Sequence, residues 1–206
     1  ANRPFLEHLL RQLAEQGIVR FVLMTGHLGE QIHEYFGTGS RWGWDIGYSH
    51  GPADWDTGRR IVEAAGLLDD SFVFLYSDNF ALVDLGVLAD RHAATGRSLT
   101  LTLKPKTGGN VRYSPQRDVT AYDPIRSAPG LDHVEIGYML VERDATLRML
   151  EAVDGYPDIA FSDVLRAAAG VGELGGIETG GAYYSVSDPT RLELTRDYFS
   201  TKKILL

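Results

Sequence analysis

The chain has 206 residues, 44% of them hydrophobic and 23% charged, with a formal net charge of -8 and no cysteine. That composition fits one soluble globular domain with a substantial core, and the acidic balance argues against a nucleic-acid backbone or an anionic membrane surface as the main partner. Without cysteine there is neither a disulfide framework nor a thiolate metal site, which suits a reducing cytoplasm.

In chain order, Pro4 precedes Phe5, Leu6, Leu9, Leu10 and Leu13 at helical spacing, which predicts an amphipathic helix ending near Gly17. Arg20 to Gly26 reads as a short buried strand, Gly29 to Phe36 as a second helix and Trp44 to Tyr48 as another strand. Helix, strand, helix, strand with short connections is the rhythm of a doubly wound, mostly parallel α/β sheet. Such a sheet usually opens on a strand and a glycine-rich turn, so a strand and its loop are expected ahead of Ala1. Asp54 to Ala65 is a loop feeding a helix that Asp56 or Thr57 can cap. Arg59 and Arg60 oppose the dipole of its first turn, so they either contact an anion such as phosphate or are solvated or paired with Asp54 and Asp56.

Phe72 to Asn79 is the stretch around which the chain is organised. An apolar strand delivers Ser77, Asp78 and Asn79 to its C-terminal end, where parallel α/β sheets bind ligands. Asp78 is either a residue of the chemistry or the start of a turn before the helix from about Asp84 to Thr95. His92 in that helix is expected to pack or face solvent rather than bind a ligand.

Ser98 to Lys104 alternates strictly, predicting a strand with one buried and one hydroxylated face. Val111 to Tyr113 and Asp118 to Tyr122 form a predicted hairpin around Ser114 to Arg117, and Ile125 to Asp132 is loop-like. His133 to Val141 is a long strand with one carboxylate, Glu135, beside Gly137. Burying an unpaired charge is costly, so Glu135 faces solvent, pairs with a cation or accepts hydroxyls from a ligand. Helices follow over Asp144 to Ala152 and Phe161 to Ala169, the second with Ser162 as its expected cap. A short β segment over Gly180 to Ser187 leads to a helix through Phe199, with Asp188 as N-cap and Pro189 first. Lys202 to Leu206 is an apolar run that stops mid-strand, so a further domain is expected after it.

In their order, these stretches resemble the sugar-phosphate nucleotidyltransferases. The resemblance covers nearly the whole chain: Arg3 to Leu10, Ile32 to Ser40 with Ile46-Gly47-Tyr48, Asp56-Thr57-Gly58, Tyr76-Ser77-Asp78 and Glu135-Ile136-Gly137-Tyr138. It implies a Rossmann-like α/β domain of the nucleotide-diphospho-sugar transferase type over residues 1–206. A nucleotide half would cover about 1–105 and a sugar-phosphate half about 106–206, with the N-terminal strand and signature loop missing and the chain cut at both ends. The ending also resembles the lead into a haloacid-dehalogenase-type phosphatase. Such a fusion is similar to bifunctional heptose-pathway proteins and narrows the expectation to GTP with heptose or mannose 1-phosphate.

The resemblance further implies an enzyme of nucleotide-sugar biosynthesis that takes a nucleoside triphosphate and a sugar 1-phosphate, uses Mg²⁺, and has no nucleic-acid or membrane partner. It assigns Thr57, Gly58, Ser77 and Asp78 to the nucleotide and Glu135, Gly137, Tyr138 and Arg126 to the sugar phosphate. The metal falls to Asp78, with Asp188 as the nearest second carboxylate, and the catalytic arginine and lysine to positions before Ala1. Two positions depart from the family pattern. Its Glu-Lys-Pro is Tyr122-Asp123-Pro124 here, leaving Arg126 or Lys104 to replace the lysine, and its second metal aspartate aligns with Ser185. Those departures keep open a nucleotide-sugar-binding or regulatory domain without turnover. A glycosyltransferase is disfavoured, because its Asp-x-Asp pair would need an aspartate where Tyr76 stands.

Overall fold

A computed structural model describes residues 3–116 and 118–201. The segment 202–206, where the lead into a phosphatase is expected, lies outside the described residues, as does Arg117 of the hairpin turn.

The chain begins with α1 (Phe5–Ala14), which turns Leu9, Leu10 and Leu13 inward from Pro4 at its N-cap. Then come β1 (Arg20–Thr25), α2 (Gly29–Phe36), β2 (Asp45–His50), α3 (Thr57–Ala64) and β3 (Ser71–Leu75). A short strand β4 (Asn79–Ala81), absent from the sequence expectation, precedes α4 (Leu85–Thr95), which Asp84 caps by accepting the Val87 N–H at 3.0 Å. The second half holds β5 (Leu99–Pro105), the hairpin β6 (Val111–Ser114) and β7 (Asp118–Tyr122), and the long strand β8 (His133–Glu142). Two helices, α5 (Arg143–Glu151) and α6 (Phe161–Val171), lead to β9 (Leu174–Glu178), β10 (Tyr183–Ser185) and α7 (Pro189–Thr201). Ser162 does not cap α6: its N-cap is Ala160, which offers no side chain to the first turn.

The α/β class holds, but the mostly parallel sheet needs a correction. Among the described residues, parallel pairing is confined to β1 with β2 and β5 with β9. β8 runs antiparallel to β5 along one edge and to β3 along the other, so it separates strands that would otherwise lie side by side. β1 and β3 have no strand between them among the described residues, and a cavity of about 710 Å³ fills that space, lined by Leu10, Leu13, Val22, Met24, Phe72 and Phe74.

The core lies on both faces of the large sheet. Phe74, Leu99, Leu101, Leu103, Met139 and Val141 pack under α3, α5 and α6, while Ile136 and Tyr138 pack on the other side with Leu10, Phe21 and Leu88. The hydroxylated face expected for β5 is also buried. Thr100 Oγ1 lies 2.8 Å from His92 Nδ1, and Thr102 Oγ1 donates to the Tyr138 carbonyl at 2.7 Å, so both hydroxyls have internal partners. His92 is thereby a packed core residue, its Nε2 2.9 Å from Glu142 Oε1. No helix among the described residues is long and apolar enough to cross a membrane.

Candidate active site

The site is built at a break in strand pairing. Along one edge of β8, β3 pairs from Glu142 back to Tyr138, and β6 joins only at His133. Residues 134–137 lie in the notch between them, where other groups replace a ladder. The Glu135 N–H donates to Asn110 Oδ1 at 3.0 Å, and the Gly137 carbonyl accepts the Tyr76 N–H at 3.2 Å. Gly137 is needed here twice over: its φ is +84°, and a β-carbon would sit 2.6 Å from Asn79 Nδ2.

β3 delivers its C-terminal turn to this notch. Asp78 is half-buried, and its carboxylate has no hydrogen bond or ion pair among the described residues. Its carbonyl accepts the Val186 N–H at 2.9 Å, which brings the end of β10 alongside, and Asn79 pairs with Ser185 in the β4–β10 ladder. The Tyr183 hydroxyl donates to Asn79 Oδ1 at 3.0 Å.

Glu135 faces the same space. Its Oε1 is buried without a hydrogen-bond partner. Burial pushes the carboxyl up to about 7; the Asp78 carboxylate adds to the rise, while the Gly137 N–H and the Asn110 side chain oppose it. Burial first, and then the Glu135 carboxylate, also raise the phenols of Tyr76, Tyr122 and Tyr183, so all three stay neutral.

Other expected site residues are placed differently. Tyr138 is fully buried on the opposite face of β8, because successive strand residues alternate, and its hydroxyl is spent on Gln12 Oε1 at 3.1 Å and the Ala81 N–H at 3.4 Å. It belongs to the core, not to a sugar contact. Asp123 builds a turn. Its carboxylate accepts the N–H groups of Ile125 at 3.0 Å and of Ser127 and Ala128 at 2.8 Å each, and those bonds, led by Ala128, hold it down to about 2. Arg126 lies in that turn, exposed, with φ +63°, and acts electrostatically on Tyr122.

On the nucleotide side, Asp56 caps α3 through the Thr57 N–H at 2.6 Å. Thr57 Oγ1 accepts the Phe161 N–H at 2.8 Å, and a β-carbon at Gly58 would meet the Ile159 carbonyl at 2.5 Å. The close approach that requires this glycine is therefore made by the α6 lead-in rather than left open to a base or ribose. Thr57 and Ser77 nevertheless both line the wall of the 710 Å³ cavity. Neither arginine pairs as expected: Arg59 binds Asp158 at 2.9 Å and lies over Trp55, and Arg60 donates to the carbonyls of Thr25 at 3.0 Å and Pro52 at 2.7 Å.

Asp188 is not free for a metal. Its Oδ1 accepts the Arg191 N–H at 2.9 Å and its Oδ2 lies 3.2 Å from Arg191 Nε, while Arg191 Nη1 reaches Ser185 Oγ at 3.1 Å. Among the described residues no three His, Asp or Glu side chains are grouped to hold a metal. Asp78 by itself fits a hard cation such as Mg²⁺, which needs only one or two carboxylates when substrate phosphates and water complete its shell.

The sequence brought Asn79 to this strand end without assigning it a contact, and missed Asn110, Tyr122 and Tyr183 as parts of this site. The one signal available was Gly108-Gly109 ahead of Asn110, a pair that lets the chain turn tightly: a β-carbon at Gly109 would sit 1.7 Å from the His133 carbonyl.

Comparison with known proteins adds sequence and fold likeness. Residues 1–112 match the profile of a family described as nucleotidyl transferase. The D-glycero-alpha-D-manno-heptose 1-phosphate guanylyltransferase of Aneurinibacillus thermoaerophilus is 36% identical over 105 residues, covering 50% of this chain and 45% of that protein. The CMP-5'-(3-aminopropyl)phosphonate synthase of Streptomyces rubellomurinus is 33% identical over 207 residues, covering 92% of this chain and 33% of that protein. The chain thus spans less than half the length of these curated relatives. A UDP-glucose pyrophosphorylase solved with UDP-glucose superposes with a TM-score of 0.77 at 14% identity, over 96% of this chain and 87% of that one, which is a likeness of fold.

Proposed function

Because this chain belongs to the nucleotidyl transferase family, we propose that the Asp78 turn and the β8 notch hold the two substrates of a nucleotidyl transfer, a nucleoside triphosphate and a sugar 1-phosphate. The observation that carries this reading is the meeting of two carboxyl groups without an ion-pair partner among the described residues, Asp78 at the end of β3 and Glu135, whose Oε1 has no hydrogen bond, in the notch opposite. A structural ion-pair network would have supplied each with a cation. The narrow reading, GTP with heptose or mannose 1-phosphate, draws on the 36% identity to the heptose 1-phosphate guanylyltransferase. The relative that aligns over 92% of the chain is named for a cytidylyl product instead, so base and acceptor are matters for a substrate panel.

In the proposed reaction, an acceptor phosphate oxygen attacks the α-phosphorus, the bond from that phosphorus to the bridging oxygen breaks, and pyrophosphate leaves. Asp78 would hold Mg²⁺, whose contribution is to offset charge on the phosphates. Thr57 and Ser77, which line the cavity, would meet the nucleotide, and Glu135 the acceptor.

The test is pyrophosphate release by the full-length protein in Mg²⁺, with each of the four common triphosphates against hexose and heptose 1-phosphates. Release with at least one pair, lost in Asp78→Ala, supports the reading. The second reading, a domain that binds nucleotide sugars without turnover, is favoured by one observation: Ser185, where the resemblance expects a second metal aspartate, accepts from Arg191, which also pairs with Asp188. Calorimetric binding of a nucleotide sugar with no release from any pair would establish it instead.

A further inference from the structure

Asn110 has no part in the resemblance, yet it closes the notch on its β6 side. It is 8% exposed and stands one residue before β6 begins. Gly109 brings the chain there, its backbone packed so tightly on the His133 carbonyl that a β-carbon would sit 1.7 Å away. That approach ties Asn110 down at three places. Its N–H donates to the His133 carbonyl at 2.9 Å, its carbonyl accepts the Asp123 N–H at 2.8 Å, and its side-chain Oδ1 accepts the Glu135 N–H at 3.0 Å.

The third bond does the work of a strand partner. β6 pairs with β8 only through Val111 and His133, and two residues further on a side chain takes over from the backbone. From the β3 side, the Tyr76 N–H donates to the Gly137 carbonyl at 3.2 Å, so the segment 133–137 is held across the gap from both edges. A strand segment fixed in this way keeps its side chains on their faces, and Glu135 stays turned towards the space it shares with Asp78.

The chemistry of an amide matters here. The Glu135 N–H needs an oxygen, so Oδ1 faces the backbone and Nδ2, a donor, points onward. The Glu135 carboxyl and the Tyr122 hydroxyl lie that way, and the Asn110 side chain acts as a hydrogen-bond donor on each. An aspartate would accept the same N–H but set a second charge against Glu135, and an alanine would make neither contact. One side chain thus grips the backbone of Glu135 and steadies its carboxyl, leaving Oε1 without a protein partner.

Resting on the reading of this notch as the acceptor side of a nucleotidyl transfer, we propose that Asn110 is a positioning residue. It takes the place of a ladder partner at the gap in β8 and aims Glu135 at the acceptor, so its effect on the reaction passes through Glu135.

A double-mutant cycle in the full-length protein tests this, using the triphosphate and sugar 1-phosphate pair that gives the fastest pyrophosphate release. Asn110→Ala should raise KM for the acceptor roughly 20-fold and leave KM for the triphosphate unchanged. In the Glu135→Ala background the same substitution should change acceptor KM by about 2-fold or less. Asn110→Ser, whose hydroxyl can accept the N–H and donate onward, should recover part of the loss, and it carries the cycle if Asn110→Ala does not fold. An Asn110 that only stabilised the fold would raise both KM values, or act by the same factor with Glu135 present and absent. Either result overturns the proposal and leaves nucleotidyl transfer standing. If no pair releases pyrophosphate, the transfer reading fails by itself, and calorimetric titration of GDP-mannose and UDP-glucose into the same four proteins decides the role of Asn110. Weakening that disappears without Glu135 supports it; additive weakening, or no binding at all, overturns it.

Discussion

Asp123 and Glu135 lie on either side of one loop, between β7 and β8, and meet opposite fates. Asp123 accepts N–H groups from Ile125, Ser127 and Ala128, and a hydroxyl hydrogen from Ser127 Oγ at 3.0 Å, so its charge is satisfied by its own turn. Glu135 stands in a gap of the β8 ladder with Oε1 unpartnered. The difference is one of backbone supply. A tight turn offers several convergent N–H groups to a carboxylate, whereas a strand residue between two partners receives what its neighbours can spare. The first carboxylate builds the fold, and the second is left for a ligand.

The largest effect is expected at Asp78, which shares the unsatisfied side of this comparison. Asp78→Ala should lower pyrophosphate release by roughly 1,000-fold or more, since it removes the side chain proposed to hold the metal against the phosphates. Urea unfolding should be nearly unchanged, because that carboxylate has no hydrogen-bond or ion-pair partner among the described residues. A large loss of stability would show that Asp78 belongs with Asp123 among the structural carboxylates.

Next comes Glu135, where stability and function should move in opposite directions. Its carboxyl is raised from 4.5 to about 7. Below pH 4.5 the folded and unfolded chains both hold the proton; between 4.5 and 7 the unfolded chain releases it first, so stability falls as pH rises. The difference is on the order of 3 kcal/mol at pH 8, from about 1.4 kcal/mol per pKa unit. Glu135→Gln should therefore be more stable than the wild type at pH 8 without ligand, and its urea midpoint should lose most of the decline between pH 4.5 and 7. A variant that is less stable at pH 8 would mean that the ionised carboxylate already has a partner.

The same contrast shows what was legible in the sequence. Helices and strands followed from periodicity: Leu9, Leu10 and Leu13 on α1, the apolar run of β3 and the Asp188-Pro189 start of α7 all lie where expected. Asp78 and Glu135 stood out because a carboxylate at a strand end or inside an apolar strand is uncommon. Strand partners were not legible, because β8 lies between β3 and β5 through contacts far apart in the chain. Consequently neither the notch nor the role of Asn110 could be seen in advance. The fate of Asp123 was hidden for another reason: its partners are backbone N–H groups, which carry no residue identity.

Tyr138 tests the alternation that divides β8. With its hydroxyl bonded to Gln12 and Ala81 inside the core, Tyr138→Phe should cost about 1 kcal/mol, the net worth of a buried hydrogen bond, measured by urea unfolding. KM for the acceptor should not change, whereas a sugar-contacting Tyr138 would raise it.

The smallest effect belongs to Asp123. Its carboxyl is lowered from 3.8 to about 2 by the bonds of its turn, so the stability it contributes is present above pH 3.8 and is lost as the pH falls through 2. At neutral pH, Asp123→Asn keeps one acceptor oxygen and gives up the charge, and the exposed turn it holds lies outside the buried core. The expected outcome is a small decrease in thermal midpoint at pH 7 that vanishes below pH 2, with pyrophosphate release and acceptor KM as in the wild type. A selective rise in acceptor KM would place Asp123 beside Glu135 after all, and the division between a carboxylate that folds the chain and one that awaits a ligand would have to be redrawn.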